Sequence, residues 1–187
     1  MIRSPHPTSK TETSRRRRIA LQVAKAERHL GKNEFNEAAS VIQTVLAETH
    51  DHLGALELQA RLLWKQEDFR ALVQTTNKLI ALNPFEPGYY GLRGMALRAL
   101  GHYGDAAKSL ARDPKAAQQL ADLEGFQASL IKDAIKHDPV FAAQYAKDPV
   151  KALTEKGFYF KERDAAIAWV SQQTKPTKPS VHRKAGD

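Results

Sequence analysis

The sequence predicts an all-α protein, a solenoid of about three stacked helix hairpins followed by a small helical C-terminal cap. Three observations carry that prediction. Aromatic residues recur at an offset of 34, at Phe35, Phe69 and Tyr103, and small residues recur at the same offset nine positions earlier, at Ala26, Ala60 and Gly94. Beyond residue 114 the period lapses, and Asp-Pro pairs punctuate the chain at Asp113-Pro114, Asp138-Pro139 and Asp148-Pro149. A fixed period of this length marks one supersecondary unit used repeatedly. Apolar residues at helical spacing on both sides of a short polar link make that unit two helices.

The first hairpin is expected over residues 19–52, turning at Gly31-Lys32-Asn33-Glu34-Phe35, and the second over 53–86, turning at Lys65-Gln66-Glu67-Asp68-Phe69. The third starts at Pro87, turns at Leu100-Gly101-His102-Tyr103 and is cut short at Asp113-Pro114, because proline lacks a backbone N–H and clashes with the preceding turn. Ala26, Ala60 and Gly94 mark the helix crossings, since two helices approach to about 8–10 Å only where a short side chain lies between them. Each turn aromatic is placed to fill the gap between one hairpin and the next.

A 34-residue helix-turn-helix unit with a small eighth residue, an aromatic seventeenth and an Ala-like twentieth resembles the tetratricopeptide repeat (TPR), over about residues 19–114. The middle unit fits best, through Leu56, Ala60, Leu63, Phe69, Leu72, Leu79 and Pro84. The first departs from the pattern with Gln22, Lys25 and His29 in its first helix and His50 where Pro is common. The resemblance implies a right-handed solenoid whose concave groove is lined by repeat positions 2, 5, 9, 12 and 13. Those positions are Ala20, Val23, Glu27, Leu30 and Gly31, then Gly54, Glu57, Arg61, Trp64 and Lys65, then Gly88, Gly91, Met95, Arg98 and Ala99. From these, Glu57, Arg61, Trp64, Lys65, Met95 and Arg98 are the candidate partner-binding residues. A Trp beside several cations, with an adaptable Met, suits a protein segment carrying an acidic group and an apolar anchor. The Lys and Asn set by which some chaperone-binding TPR domains hold a C-terminal carboxylate is not matched, because Glu57 and Gly91 stand in its place.

Residues 115–172 are expected to cap the stack. Each Asp-Pro pair supplies an N-cap carboxylate followed by Pro at the first helical position, which predicts helices at about 114–136, with a break at Gly125, and at 139–146, 149–156 and 161–172. Phe126, Leu130, Ile131, Ala134 and Ile135 form one apolar stripe. Phe141, Tyr145, Val150, Leu153, Phe158, Phe160, Ile167 and Trp169 supply an aromatic-rich cluster.

The net charge of +8 lies entirely at the two ends. Residues 1–18 hold six basic residues and one acid, residues 173–187 hold four and one, and the body between them holds nineteen of each. Both ends are rich in Pro, Ser, Thr and cations with few large apolar residues, which predicts disorder. Arg15, Arg16, Arg17 and Arg18 are the candidate electrostatic contact, and non-specific nucleic-acid binding through the tails is the alternative function. Without an aromatic residue in 1–18 to stack on bases, specific recognition is disfavoured.

The chain has no cysteine, which excludes disulfides and thiolate zinc sites. Its apolar runs fall far short of the roughly 20 residues of a membrane span, and the basic N-terminus lacks a signal-peptide core. A cytoplasmic protein is expected. Gly88, Gly91 and Gly94 match no phosphate-binding loop. His50-Asp51-His52 lacks further ligands for a metal and reads as a turn with Asp51 as N-cap. With no nucleophile and base pattern either, the expectation is a non-catalytic adaptor, chaperone or assembly factor that needs no cofactor. Uncovered repeat ends also leave dimerisation through the first helix open.

Overall fold

The computed structural model describes residues 10–174, and among these the chain is a succession of ten α-helices without a strand. Three hairpins come first: α1 (Lys10–Gly31) with α2 (Phe35–Glu48), α3 (Leu53–Lys65) with α4 (Phe69–Leu82), and α5 (Pro87–Ala99) with α6 (Tyr103–Leu110). A 3₁₀ turn at Pro114–Ala116 leads into α7 (Ala117–His137), followed by α8 (Pro139–Lys147), α9 (Pro149–Glu155) and α10 (Arg163–Gln173). Each helix packs on its successor through α9, α1 also touches α3, and Leu56 and Ala60 of α3 share a core cluster with Tyr89 and Ala96 of α5, so the first helices of the three hairpins form one layer.

The hairpin turns obey the same period as the side chains. Asn33, Glu67 and Gly101 all have positive φ, at 60°, 56° and 81°, so each turn closes through a left-handed residue 34 positions after the last. Only the third position uses glycine, which adopts that conformation without a Cβ penalty. At the opposite ends of the hairpins, His52 and Glu86 cap α3 and α5 by accepting hydrogen bonds from the N–H groups of Ala55 and Gly88. The cap of α3 is therefore His52 and not the expected Asp51, because the helix begins one residue later than a cap at Asp51 requires.

The expected crossings are present. Ala26 and Ala60 are buried, and a Cβ added to Gly94 falls 2.7 Å from Leu110 Cγ and 3.0 Å from the Ala106 carbonyl. The turn aromatics then knit hairpin to hairpin. Phe35 packs in one cluster with Leu58 and Leu62 of α3, and Phe69 in another with Tyr89 and Ala96 of α5. Tyr103 meets Phe126 of α7 edge-on, with ring centroids 5.0 Å apart. In this way α7 takes the place that the first helix of a fourth hairpin would hold. Its Leu120 and Leu123 join Ala106, Ala107 and Leu110 of α6 in one core.

Beyond Leu123 a second core forms. Ala128 and Ile131 of α7 pack with Phe141, Tyr145, Ala152, Leu153, Phe160 and Val170. Helix α7 runs through Gly125 without the expected break, since one glycine costs a helix only about 1 kcal/mol and packing on both sides outweighs that. The segment after α9 returns along α7, where the fully buried Gln127 donates to the Tyr159 carbonyl at 3.0 Å and accepts the Tyr159 N–H at 3.1 Å. Glu124 accepts the Lys161 N–H. The same segment presses on the solenoid at Gly104, where an added Cβ lies 1.8 Å from the Gly157 carbonyl.

At the N-terminal end, the structure corrects the expectation of a disordered segment through residue 18, because α1 begins at Lys10. Residues 1–9 and 175–187, where disorder is also expected, lie outside the described residues.

Glu67→Gly relieves a left-handed strain of about 1 kcal/mol, so the midpoint of chemical denaturation rises; an unchanged or lower midpoint counts against strain at this turn. Gly104→Ala forces the cap segment off α6 at a cost of about 1–3 kcal/mol, read as earlier amide exchange in residues 157–162.

Candidate functional site

The concave face is built from α1, α3 and α5, whose parallel alignment follows from the repeated hairpin. Because the three helices share a register, residues at one repeat position stand side by side. Glu27 and Arg61, both at position 9 of their repeats, form an ion pair at 3.3 Å across the 34-residue offset. Glu57 is buttressed by the next repeat, accepting a hydrogen bond from the Tyr89 hydroxyl. Burial, and then the Glu57 carboxylate, push the Tyr89 phenol well above its ordinary range, so it stays a donor.

Two cavities open on this face. One, of about 330 Å³, is lined by Leu30, Arg61, Trp64, Lys65, Leu92 and Met95. Trp64 is 38% exposed there, and its indole leans edge-on against Phe69 with centroids 5.7 Å apart. That contact fixes the ring while leaving a face open. The second cavity, of about 470 Å³, lies toward the N-terminal ends of α3 and α5, where Glu27, Glu57 and Glu86 line it with Arg61 and Tyr89. The groove is thus polarised, acidic at one end and apolar with a basic rim at the other. The lining of neither cavity includes a residue of α7–α10.

Of the six expected groove residues, the structure brings Arg61, Trp64, Lys65 and Met95 around one cavity and places Glu57 at its neighbour. Arg98 is exposed one turn beyond Met95 and lines neither of these cavities. Gly91 turns away from the groove, since a Cβ there would stand 2.1 Å from Asp113 Oδ2. Tyr89 and Leu92 take the wall instead, and sequence reasoning missed both. Their signal was helical spacing, because Leu92 lies three residues before Met95 and Tyr89 three before Leu92.

The four arginines are placed differently from the expected tail. All lie within α1. Arg15 and Arg18 converge on Glu48 at the end of α2, at 2.7 and 2.6 Å, and Arg15 also donates to the Glu48 carbonyl. Arg16 pairs with Glu12 one turn earlier. Three of the four therefore hold α1 to itself or to α2. Hydrogen bonding by Arg15 holds the Glu48 carboxyl below its usual range, against the opposing effect of desolvation and with the help of Arg18. Among the described residues no cluster of three or more His, Asp or Glu side chains is arranged to hold a metal, and no helix is long and apolar enough to cross a membrane.

No family profile matches the chain, and no curated protein matches it by sequence. Among solved structures, the first TPR of Spaghetti (RPAP3), bound to the HSP90 peptide SRMEEVD, matches with a TM-score of 0.55 at 18% identity, over 59% of this chain and 93% of its own. The chain has the tetratricopeptide-repeat fold. The MamA protein matches with a TM-score of 0.52 at 15% identity, over 86% of this chain and 98% of its own. That share exceeds the three TPR hairpins and takes in helices of the cap. At these identities the likeness is one of fold.

The Glu48 pairing has a pH signature. A carboxyl whose folded pKa is lowered stabilises the fold above its ordinary value of 4.5 and loses that contribution as pH falls through the lowered value. Acidification, or Glu48→Gln at neutral pH, is expected to lower the protection factors of the amides over residues 10–18, each rate taken relative to the intrinsic exchange rate at that pH, while leaving α3–α6 protected. Unchanged protection in α1 contradicts the clamp.

Proposed function

We propose that this TPR-fold chain is a non-catalytic interaction module that holds a segment of a partner protein in its concave groove, as an adaptor, chaperone or assembly factor of the cytoplasm. The observation that carries this reading is the 330 Å³ cavity, where an apolar wall of Leu30, Trp64, Leu92 and Met95 meets the cations Arg61 and Lys65. An apolar side chain of the partner fills the cavity, and an adjacent carboxylate lies against the two cations. Charge-assisted hydrogen bonds to Arg fix its direction. Arg98, one turn further along α5, serves a segment long enough to leave the cavity. Glu57 acts through Tyr89, as a positioning residue for the groove wall.

The energetics favour an anchor of this kind. Burying one large apolar side chain contributes about 1.5–3 kcal/mol, and Trp and Arg are the residue types that dominate binding when they sit in a desolvated pocket. Trp64 is held by Phe69 before any ligand arrives, so little rotamer freedom is lost on binding. The RPAP3 domain, with its bound peptide, supports a peptide-sized ligand for this fold.

The test is quantitative binding to a partner recovered by affinity purification. Trp64→Ala together with Met95→Ala should weaken that complex by about 2 kcal/mol, roughly 30-fold in Kd, with far-UV circular dichroism unchanged. Arg61→Glu should weaken it in a salt-dependent way. If the variants bind as the parent does, the groove is not the site.

A further inference from the structure

The link between α4 and α5 displays an aromatic ring that the fold does not use. Phe85 is 92% exposed and belongs to none of the core clusters among the described residues. Its backbone is nonetheless held firmly. The Tyr90 hydroxyl donates to the Pro84 carbonyl at 3.1 Å, the Asn83 N–H to the Leu79 carbonyl at 2.8 Å, and the Gly88 N–H to Glu86 Oε1 at 3.2 Å. Pro84 and Pro87 fix φ on either side. A ring presented on so stiff a loop loses little conformational entropy when it docks.

A single exposed aromatic needs no explanation by itself; its neighbour gives it direction. Of the exposed large apolar residues among those described, Leu21, Leu53, Trp64, Leu82, Leu100, Phe126, Val140 and Trp169 are each followed by a neutral or basic residue, and Phe85 alone is followed by an acid, Glu86. An apolar group beside a carboxylate is the chemistry that the Trp64–Met95 cavity, with Arg61 and Lys65 on its rim, is shaped to take.

We propose that the groove of one copy receives the Phe85-Glu86 loop of a second copy, with the Phe85 ring in the cavity and the Glu86 carboxylate on Arg61 and Lys65. The inference rests on the groove reading above and names one occupant for it. A chain does not satisfy its own cavity in this way, because Met95 lies eight positions along α5 from Pro87, about 12 Å of rigid helix. The contact joins unlike surfaces and is therefore heterologous. One aromatic anchor, covering about 150–250 Å², falls well below the 1,200 Å² or more of a stable interface, so the association is reversible and depends on concentration.

Sedimentation of the full chain tests it through complementation. The parent protein should gain mass above the 20.9 kDa monomer as its concentration rises. Phe85→Glu, which keeps the groove, and Trp64→Ala, which keeps the loop, should each associate at least about tenfold more weakly. An equimolar mixture of the two should recover a heterodimer and nothing larger, because one matched interface remains. Arg61→Glu serves as a second groove variant that removes no packed side chain. A parent that stays monomeric, a Phe85→Glu variant that associates as the parent does, or a mixture that stays monomeric overturns the proposal. The groove reading is scored separately, by whether Trp64→Ala loses a foreign partner that Phe85→Glu still binds.

Discussion

The structure depends on the close crossing of the two helices in each hairpin. Ala26, Ala60 and Gly94 permit that approach at one repeat position, and the left-handed residue at Asn33, Glu67 and Gly101 returns the chain at another. With both fixed, consecutive hairpins superimpose by translation and a small rotation, and α1, α3 and α5 align in one layer. The groove is a consequence of that alignment. Glu27 meets Arg61 because they hold the same repeat position, and Glu57 meets Tyr89 because their positions are neighbours in adjacent units.

The cap solves the problem that a repeat stack creates at its end. The last hairpin exposes Ala106, Ala107 and Leu110, and α7 covers them with Leu120 and Leu123 before turning its far half into a second core. Gln127 joins the two parts. A fully buried amide is costly unless both its donor and its acceptor are satisfied, and here the backbone of Tyr159 satisfies both. The cap thus ends the solenoid, and among the described residues it lines neither cavity of the concave face.

Much of this was legible in the sequence because it is periodic. The starts of α3 at Leu53 and α5 at Pro87 fall at the expected hairpin boundaries, since a 34-residue offset and a proline at a helix start are local signals. Arg61, Trp64, Lys65 and Met95 were placed by repeat position and do gather around one cavity. Features that depend on one particular neighbour were not legible. Gly91 leaves the groove because Asp113, 22 residues later, lies against it. The first turns of α1 are helical where composition suggested disorder, because Arg15 and Arg18 find Glu48, which belongs to another helix. Of the acidic end of the groove, Glu27 and Glu57 were placed by repeat position, and only Glu86, which comes from the link before α5, was missed.

The central claim is that partner segments enter the concave face at the Trp64–Met95 cavity. A photo-crosslinking residue placed at Met95, and in a second sample at the exposed Lys78 on the outer helix α4, tests it most directly in the presence of the partner. The account predicts covalent capture from position 95 and only background from position 78. Capture from position 78 with none from position 95 would contradict it, and would move the binding surface to the convex side of the solenoid.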